Sequence, residues 1–291
     1  MVKNLLLTGA SGWFGKSFIY EGYKIYGKQF IEANFFAASE AKSLSVIGIP
    51  EKINFVSLKD ALKFKNIDYL VQNAFITRDK ITKIGIKNYK NQVSNIIEIS
   101  NRISLNNKLM KHILISSGDV LDQMSLYGTL KRIEENYVIK STSIDKKIFR
   151  IYSGSGYFLP KLDWSGLSNF VQSFYNKSDI NIKSDGQVLR SFVDFSDLSN
   201  ILLKYISKKK IYQKTIIDAC NIDTDLIDIA YKIAMKGNIK VILPSTFSNQ
   251  KIASDYRGKK KDFLHLAKFV NHQLFDIDEQ IENSMNSFQF K

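Results

Sequence analysis

Tyr127-Gly-Thr-Leu-Lys131 places a phenol and an ammonium four residues apart, on one face of a helix. Ser116-Ser117 lies a short way upstream, just past an apolar run that reads as a strand. A tyrosine titrates near pH ~10, too high for a base at neutral pH, and a cation one turn away can lower it. A serine hydroxyl can hold a substrate oxygen in line with that phenol. Far upstream stands a glycine loop, Thr8-Gly-Ala-Ser-Gly-Trp-Phe-Gly15. A YxxxK pair alone is a common surface-helix pattern. In this order, behind this loop, the residues name a chemistry: reversible hydride transfer between a nicotinamide and a carbon bearing a hydroxyl.

The glycines follow a strand and open a helix, the context in which such a loop binds a dinucleotide. Gly9 permits the tight turn, Gly12 lets backbone approach a pyrophosphate, and Gly15 lets the helix pack on the strand. The pyrophosphate charge then sits at a helix N-terminus. An acid commonly ends the second strand, on the adenosine ribose of NAD. Here Phe35-Phe-Ala-Ala-Ser39 puts a serine there, with Glu40 next and Lys42 within reach of a 2′-phosphate. Serine and lysine lean toward NADP, whereas Glu40 keeps NAD open.

These residues need elements to position them. Val2 to Leu7 reads as a strand, and Trp13 to about Phe30 as a helix with Phe14, Phe18, Ile19, Ile25 and Tyr26 on one side. Phe35 to Ala38, Ile53 to Val56, Tyr69 to Val71, Ile113 to Ile115 and Lys146 to Ile151 read as strands. Tyr89 to Leu105 and Tyr127 to Lys140 read as helices, with Val93, Ile96, Ile97 and Ser100 near one face of the first. Alternating strands and helices predict an α/β, doubly wound parallel sheet covered on both faces. The segment Tyr152 to Pro160 is the best place for a crossing into a second lobe.

Composition narrows the class. At 291 residues, 44% hydrophobic and 24% charged, the chain is an ordinary globular protein with room for one large or two joined domains. No apolar run reaches the ~20 residues that span a bilayer, and Leu5 to Leu7 runs straight into Thr8-Gly9, as a strand does and a signal peptide does not. The single Cys220 excludes an internal disulfide and points to the cytoplasm. His112, His265 and His272 are scattered, so no metal site is expected. The net charge of +14 could suit nucleic acid, but the lysines are spread, with tight runs only at 208–210 and 259–261. Solvated surface is the simpler reading, and the positive field could draw in an anionic substrate.

On these motifs the chain resembles the extended short-chain dehydrogenase/reductases, the family of nucleotide-sugar epimerases, dehydratases and 4-ketoreductases. Thr8 to Gly15 is similar to the family's TGxxGxxG, Ile115-Ser-Ser-Gly-Asp-Val-Leu121 to its strand end with the catalytic hydroxyl at Ser117, and Tyr127 to Lys131 to its YxxxK, followed by Glu134 or Glu135. Phe149 to Gly156 resembles the segment leading into the sugar lobe, Asp185 to Asp197 the segment whose arginine grips the substrate diphosphate, and Asp276 to Phe288 the closing helix. The resemblance implies a Rossmann-like NAD(P)-binding domain over 1–152, with a return segment at about 187–220, and a smaller C-terminal α/β substrate lobe over 153–186 and 221–291. It implies catalytic Ser117, Tyr127 and Lys131, with the last also touching the cofactor. Thr8, Gly9, Ser11, Gly12, Trp13, Phe14, Gly15, Ser39, Lys42, Asn73 and Ala74 complete the expected cofactor site. Ser117, Asp119, Tyr127 and Arg190 would contact a nucleotide-diphosphate sugar, and a homodimer through the two long helices is implied.

The departures matter. Family dehydratases follow the catalytic hydroxyl with Asp-Glu, where this chain has Gly118-Asp119; the first acid is missing. Leu121 stands where a tyrosine is usual, and the stretch from Ser117 to Tyr127, which ordinarily covers the sugar, is short. The expected activity is hydride transfer at C4 of the sugar, as a 4-ketoreductase or an epimerase, the former favoured. A dehydratase with an altered acid/base pair, and a non-catalytic NAD(P)-binding sensor or assembly subunit, are the alternatives.

Overall fold

A computed structural model describes residues 2–161 and 165–287. The chain divides into two compact units. The first runs to Arg150 and takes back Ser199–Ile217; the second is Ile151–Leu198 and Asp218 onward.

In the first unit, β1 (Leu5–Thr8) leads through the glycine turn into α1 (Trp13–Tyr26) and α2 (Lys28–Glu32). The single helix expected from Trp13 to Phe30 is broken at Gly27, whose φ of 62° ends α1. Then come β2 (Phe35–Ala38), β3 (Lys42–Ser45), β4 (Lys52–Ser57) and β5 (Tyr69–Gln72). After α3 (Lys80–Ile84) and α4 (Ile86–Leu105) follow β6 (Lys111–Ser117), α5 (Leu126–Lys140) and β7 (Asp145–Ile151).

The second unit holds β8 (Ser153–Ser155), α6 (Gly166–Asn176), β9 (Ile180–Asn181) and β10 (Gly186–Asp194). After α7 (Phe195–Ser207) and β11 (Ile216–Ala219), the chain forms β12 (Ile222–Asp225), α8 (Leu226–Gly237), β13 (Val241–Ile242) and β14 (Ser248–Tyr256). It closes with α9 (Lys261–Phe269) and α10 (Ile277–Met285). The expected closing helix, Asp276 to Phe288, is therefore present, while Phe288 lies outside the described residues.

Among the described residues, eight strands form one sheet in the order β11-β7-β6-β5-β1-β2-β4-β3. β5, β1, β2 and β4 pair in parallel, as do β5 and β6. The β3–β4 edge pair is antiparallel, and β3 is a strand that the sequence pattern does not announce. Leu5, Leu6 and Leu7 are fully buried because a parallel sheet is covered on both faces. Leu6 and Leu70 pack with Ile103 of α4 and Ala61. Tyr89, Val93 and Ile97 of α4 meet Leu130 of α5, with Phe75 and Tyr127 against the cluster.

In the second unit β10 pairs with β12, β14 and β8. The return segment to the first unit is accordingly narrower than the expected 187–220: it is 199–217, because β10 belongs to this second sheet. Gln280 and Ser284 of α10 bond to Ser155 (2.8 Å) and to the Gly156 N–H (2.9 Å), tying the closing helix to the end of β8. No helix among the described residues is long and apolar enough to cross a membrane.

The tightest backbone approach beside Tyr127 is at Gly128, where a Cβ would lie 2.0 Å from the Asp119 carbonyl oxygen. Gly128→Ala must push α5 off the turn beneath it. The expected cost is about 1–3 kcal/mol, read as a lower Tm; an unchanged Tm would show that the contact yields freely.

Candidate active site

The glycine turn is held by β5. Thr8 Oγ1 accepts from the backbone N–H of Asn73 (3.1 Å) and of Ala74 (3.2 Å), and Asn73 Nδ2 donates to the Gly9 carbonyl (3.2 Å). Gly9 has φ 66°, and a Cβ there would sit 2.7 Å from the Asn73 carbonyl. A Cβ on Gly15 would come within 2.5 Å of the Gly9 oxygen. Gly12 caps α1 without a side chain, and the first turn contains no acid. The helix dipole at this end favours an anion, and the residues present fit a dinucleotide pyrophosphate. Ser11 and Trp13 are half-buried beside the turn, whereas Phe14 turns into the core against Phe18, 5.9 Å away between rings.

Ser39 is exposed just past β2, and Lys42, also exposed, opens β3. Lys16, half-buried on α1, lies in the field of Lys42. Burial and then the Lys42 charge lower its pKa. Lys16 was not legible as a site residue; its one sequence signal is its place directly after the third glycine.

β6 delivers Ser117 to the carboxyl end of the sheet, where Ser117 Oγ accepts from the Asp119 N–H (3.2 Å) and caps a 3-10 turn, Gly118–Leu121. Ser125 caps α5 by accepting from the Gly128 N–H (3.0 Å). The short stretch between Ser117 and Tyr127 is thus two caps back to back. Arg132 closes it from α5, donating to the carbonyls of Val120 (2.6 Å) and Asp122 (3.1 Å).

Tyr127 is hydrogen bonded to Ser117. The ring of Phe75 meets Tyr127 edge-on at 5.3 Å, and the Lys131 ammonium lies 3.9 Å from the same ring's centroid. Lys131 Nζ also donates to the Ile115 carbonyl (3.1 Å) and pairs with Glu134 Oε2 (2.9 Å). The sequence assigns Lys131 a downward pull on the phenol. In the structure the phenol is raised: burial acts first, then the charges of Asp119 and Glu134, against Arg78 and the Ser117 hydrogen bond. Arg78 pairs with Asp119 at 3.4 Å.

The two glutamates after Lys131 have separate tasks. Glu135 accepts from Ser116 (2.6 Å) and takes a bidentate pair from Arg150 (3.0 and 2.7 Å), bracing β6 and β7 against α5. Glu134 also accepts from Gln72 Nε2 (2.7 Å). Gln72 Oε1 meets His112 Nε2 (2.9 Å), and His112 Nδ1 meets Ser104 Oγ of α4 (3.4 Å). Burial, with Lys146 adding to it, pushes the His112 pKa down to about 3, so its imidazole is neutral. Phe75, Arg78 and Arg132 carry no motif that marks them in sequence, and Glu134 is marked only as one of two glutamates that follow the YxxxK pair.

Ser117, Asp119, Tyr127 and Lys131 are thus brought together in the first unit, and the glycine turn, Asn73 and Ala74 likewise. Arg190 lies in the second unit on β10. Its Nη1 donates to the Leu189 carbonyl (2.8 Å) and Ser254 Oγ (3.1 Å), and its guanidinium carbon is 5.9 Å from the Tyr256 ring centroid. No group of three or more His, Cys, Asp or Glu among the described residues could hold a metal ion.

No protein-family model and no curated protein sequence matches the chain. Solved structures do. The epimerase Mth375 of Methanothermobacter thermautotrophicus superposes with a TM-score of 0.71 at 16% identity, over 97% of this chain and 90% of that one. The chain has the fold of the nucleotide-sugar epimerases and dehydratases. The UDP-glucuronic acid 4-epimerase of Bacillus cereus, solved with UDP-glucuronic acid and NAD, gives 0.71 at 14% identity over 98% of both chains. TunA, an NAD-dependent NDP-hexosamine 5,6-dehydratase of tunicamycin biosynthesis, gives 0.73 at 12% over 99% and 98%. The expected Rossmann-like architecture is therefore the observed one.

The His112 network gives a pH prediction. An unfolded imidazole titrates near ~6.5 and the folded one near about 3, so between these values the unfolded state binds more protons. Stability is full above pH ~6.5 and falls as pH drops toward 3, by about 2 kcal/mol at pH 5. Urea denaturation across this window should show the slope in the native chain and its flattening in His112→Gln; parallel slopes would contradict it.

Proposed function

We propose that the chain is an NAD(P)-dependent enzyme of the extended short-chain dehydrogenase/reductase family, acting at C4 of a nucleotide-diphosphate sugar, as a 4-ketoreductase in preference to an epimerase. The observation that carries this reading is the Ser117–Tyr127 hydrogen bond with Lys131 one turn on, beside a glycine turn that only glycines can form.

A bound NADPH would supply the hydride to the 4-keto carbon. Ser117 holds the ketone oxygen, and Tyr127 gives that oxygen its phenolic proton, so C=O becomes CH–OH. A raised phenol remains protonated at neutral pH, which suits donation. Thr8, Asn73 and Ala74 fix the turn that would hold the pyrophosphate, and Ser11, Gly12 and Trp13 line it. Lys131 would meet the nicotinamide ribose. Arg190, half-buried on β10, is assigned the substrate diphosphate, which its planar fork suits. Ser39, Lys42 and Lys16 support NADP, since two neighbouring cations, Lys16 on α1 and Lys42 at the start of β3, would answer a 2′-phosphate; Glu40 is the residue that would favour NAD.

A second reading has one observation behind it. Asp119 lies close enough to Tyr127 to raise its pKa and is paired with Arg78, so it could serve as the acid that Gly118 cannot be, in a dehydratase. We further assign the protein to the cytoplasm, as a homodimer: α5 leaves Ile133 (42% exposed) and Tyr137 (46%) on its surface, apolar area that a second copy would cover.

Tyr127→Phe should lower kcat about 10²–10⁴-fold while nicotinamide binding, followed by fluorescence, stays within twofold; full activity would remove Tyr127 from the mechanism. Lys16→Ala with Lys42→Ala should raise KM for NADPH about tenfold or more, the loss of a charge-assisted contact, and leave KM for NADH unchanged. Equal effects on both cofactors would argue for NAD.

A further inference from the structure

The Lys131 ammonium has three N–H donors. One goes to the Ile115 carbonyl and one to Glu134, at 3.1 and 2.9 Å, so a single donor remains for anything else. The pair is buried: the side chains of Lys131 and Glu134 are 4% and 1% exposed. A lone ammonium in such a place would be costly, and a carboxylate at this distance offsets its charge. Glu134 is not free to swing away. Its second oxygen accepts from Gln72, Gln72 is gripped by neutral His112, and His112 reaches Ser104. A chain of buried polar groups thus runs from the catalytic helix α5 across β5 and β6 to α4, with Lys131 at one end.

We propose that Glu134 is a positioning residue for the Tyr127/Lys131 pair: it anchors the ammonium, offsets its charge, and so keeps the site in its proton-donating form, the form that reduces a ketone. The inference rests on the hydride-transfer reading above. It is specific to residue 134, because Glu135 is committed to Ser116 and Arg150.

The charges that face the pair support the assignment. From α5 come Glu134 and the already paired Glu135; from the 3-10 turn, Asp119; from the segment before α3, Arg78; from β7, Arg150; from β6, the neutral His112; from α4, Tyr89, itself raised by burial and by Tyr127. The two negative influences on Tyr127 are Asp119 and Glu134, and both raise it after burial does, with Arg78 acting against them. Burial likewise raises Glu134, while Lys131 and Gln72 hold it down. Ketone reduction consumes a phenolic proton, and alcohol oxidation needs the phenolate. A site built this way favours the first at neutral pH and the second only in alkali.

The experiment is a titration that needs neither substrate nor cofactor: tyrosine Cζ-13C NMR, with Tyr127→Phe identifying the resonance. In Glu134→Gln the Tyr127/Lys131 pair should give up its proton at a pH lower by at least about one unit, a tenfold change in proton affinity, and the alkaline limb of kcat/KM for reduction should move by the same amount. Glu134→Asp, which keeps the charge, should restore the native position. Should Glu134→Gln not fold, the double change Glu134→Leu with Gln72→Leu removes both partners without stranding either, and the shift should recur. An unmoved resonance in these variants overturns the role of Glu134. A native protein that titrates as described but turns over no nucleotide-diphosphate sugar with any nicotinamide would instead overturn the functional reading, and the two failures are distinguishable.

Discussion

The site depends on one bifurcated hydrogen bond. Thr8 Oγ1, fully buried at the end of β1, accepts from two successive backbone N–H groups at the end of β5. That bond fixes how far the two central strands run before their chains turn away. On one side it sets Gly9 against the Asn73 backbone, so closely that no Cβ fits, and hence sets the start of α1. On the other it orients Asn73, Ala74 and then Phe75, whose ring both Tyr127 and Lys131 touch. The glycine turn and the Tyr127/Lys131 pair, which sequence reads as separate motifs, are joined through the three residues that follow β5. A parallel sheet makes this natural: its strand ends converge on one edge, where open α/β sheets place their chemistry.

The second half of the site is assembled under a length constraint. Between Ser117 and Tyr127 the chain must leave a strand, turn and begin a helix. It does so with a 3-10 turn capped by Ser117 and an α-helix capped by Ser125, each satisfying donors that would otherwise be orphaned. Gly128 lets the two elements touch and Arg132 binds the carbonyls between them. Met124 is 94% exposed at the tip of this loop. These caps and the Arg132 contacts hold the stretch between Ser117 and Tyr127 in place.

Much of this was legible in residues. The triplet of glycines, the Ser-Tyr-Lys order and the alternation of apolar runs with helical patterns carry the fold and the proposed catalytic set, because each depends on local spacing. β3 was not legible: Lys42-Ser-Leu-Ser45 is polar and exposed, and it becomes a strand only by pairing with β4 at a sheet edge. The return segment was drawn too wide, since β10 reads as a strand in sequence but nothing local says which sheet will take it. The sign of the effect on Tyr127 was unreadable for a similar reason. A lysine one turn away implies a lowered phenol only if its charge is unopposed, and the opposing carboxylate is visible only once Glu134 is seen to turn inward beside Lys131.

That last point bears on why the buried pair exists at all. Replacing a buried ion pair with apolar groups is often neutral or stabilising, so stability alone does not account for Lys131 and Glu134. Nor does catalysis need the pair if the lysine's task is to lower the phenol, for a carboxylate at 2.9 Å works against that task. The arrangement makes sense if the positive charge wanted at Tyr127 is conditional. With the ammonium offset, the phenol keeps its proton, and a bound nicotinamide would supply the positive charge that favours its release. Gln72 and neutral His112 add hydrogen bonds without adding charge, so they fix the carboxylate and leave this balance undisturbed. Under the proposed reaction, a site so arranged would use electrostatics for direction as well as for rate, with its buried polar chain the structural cost of holding that balance in place.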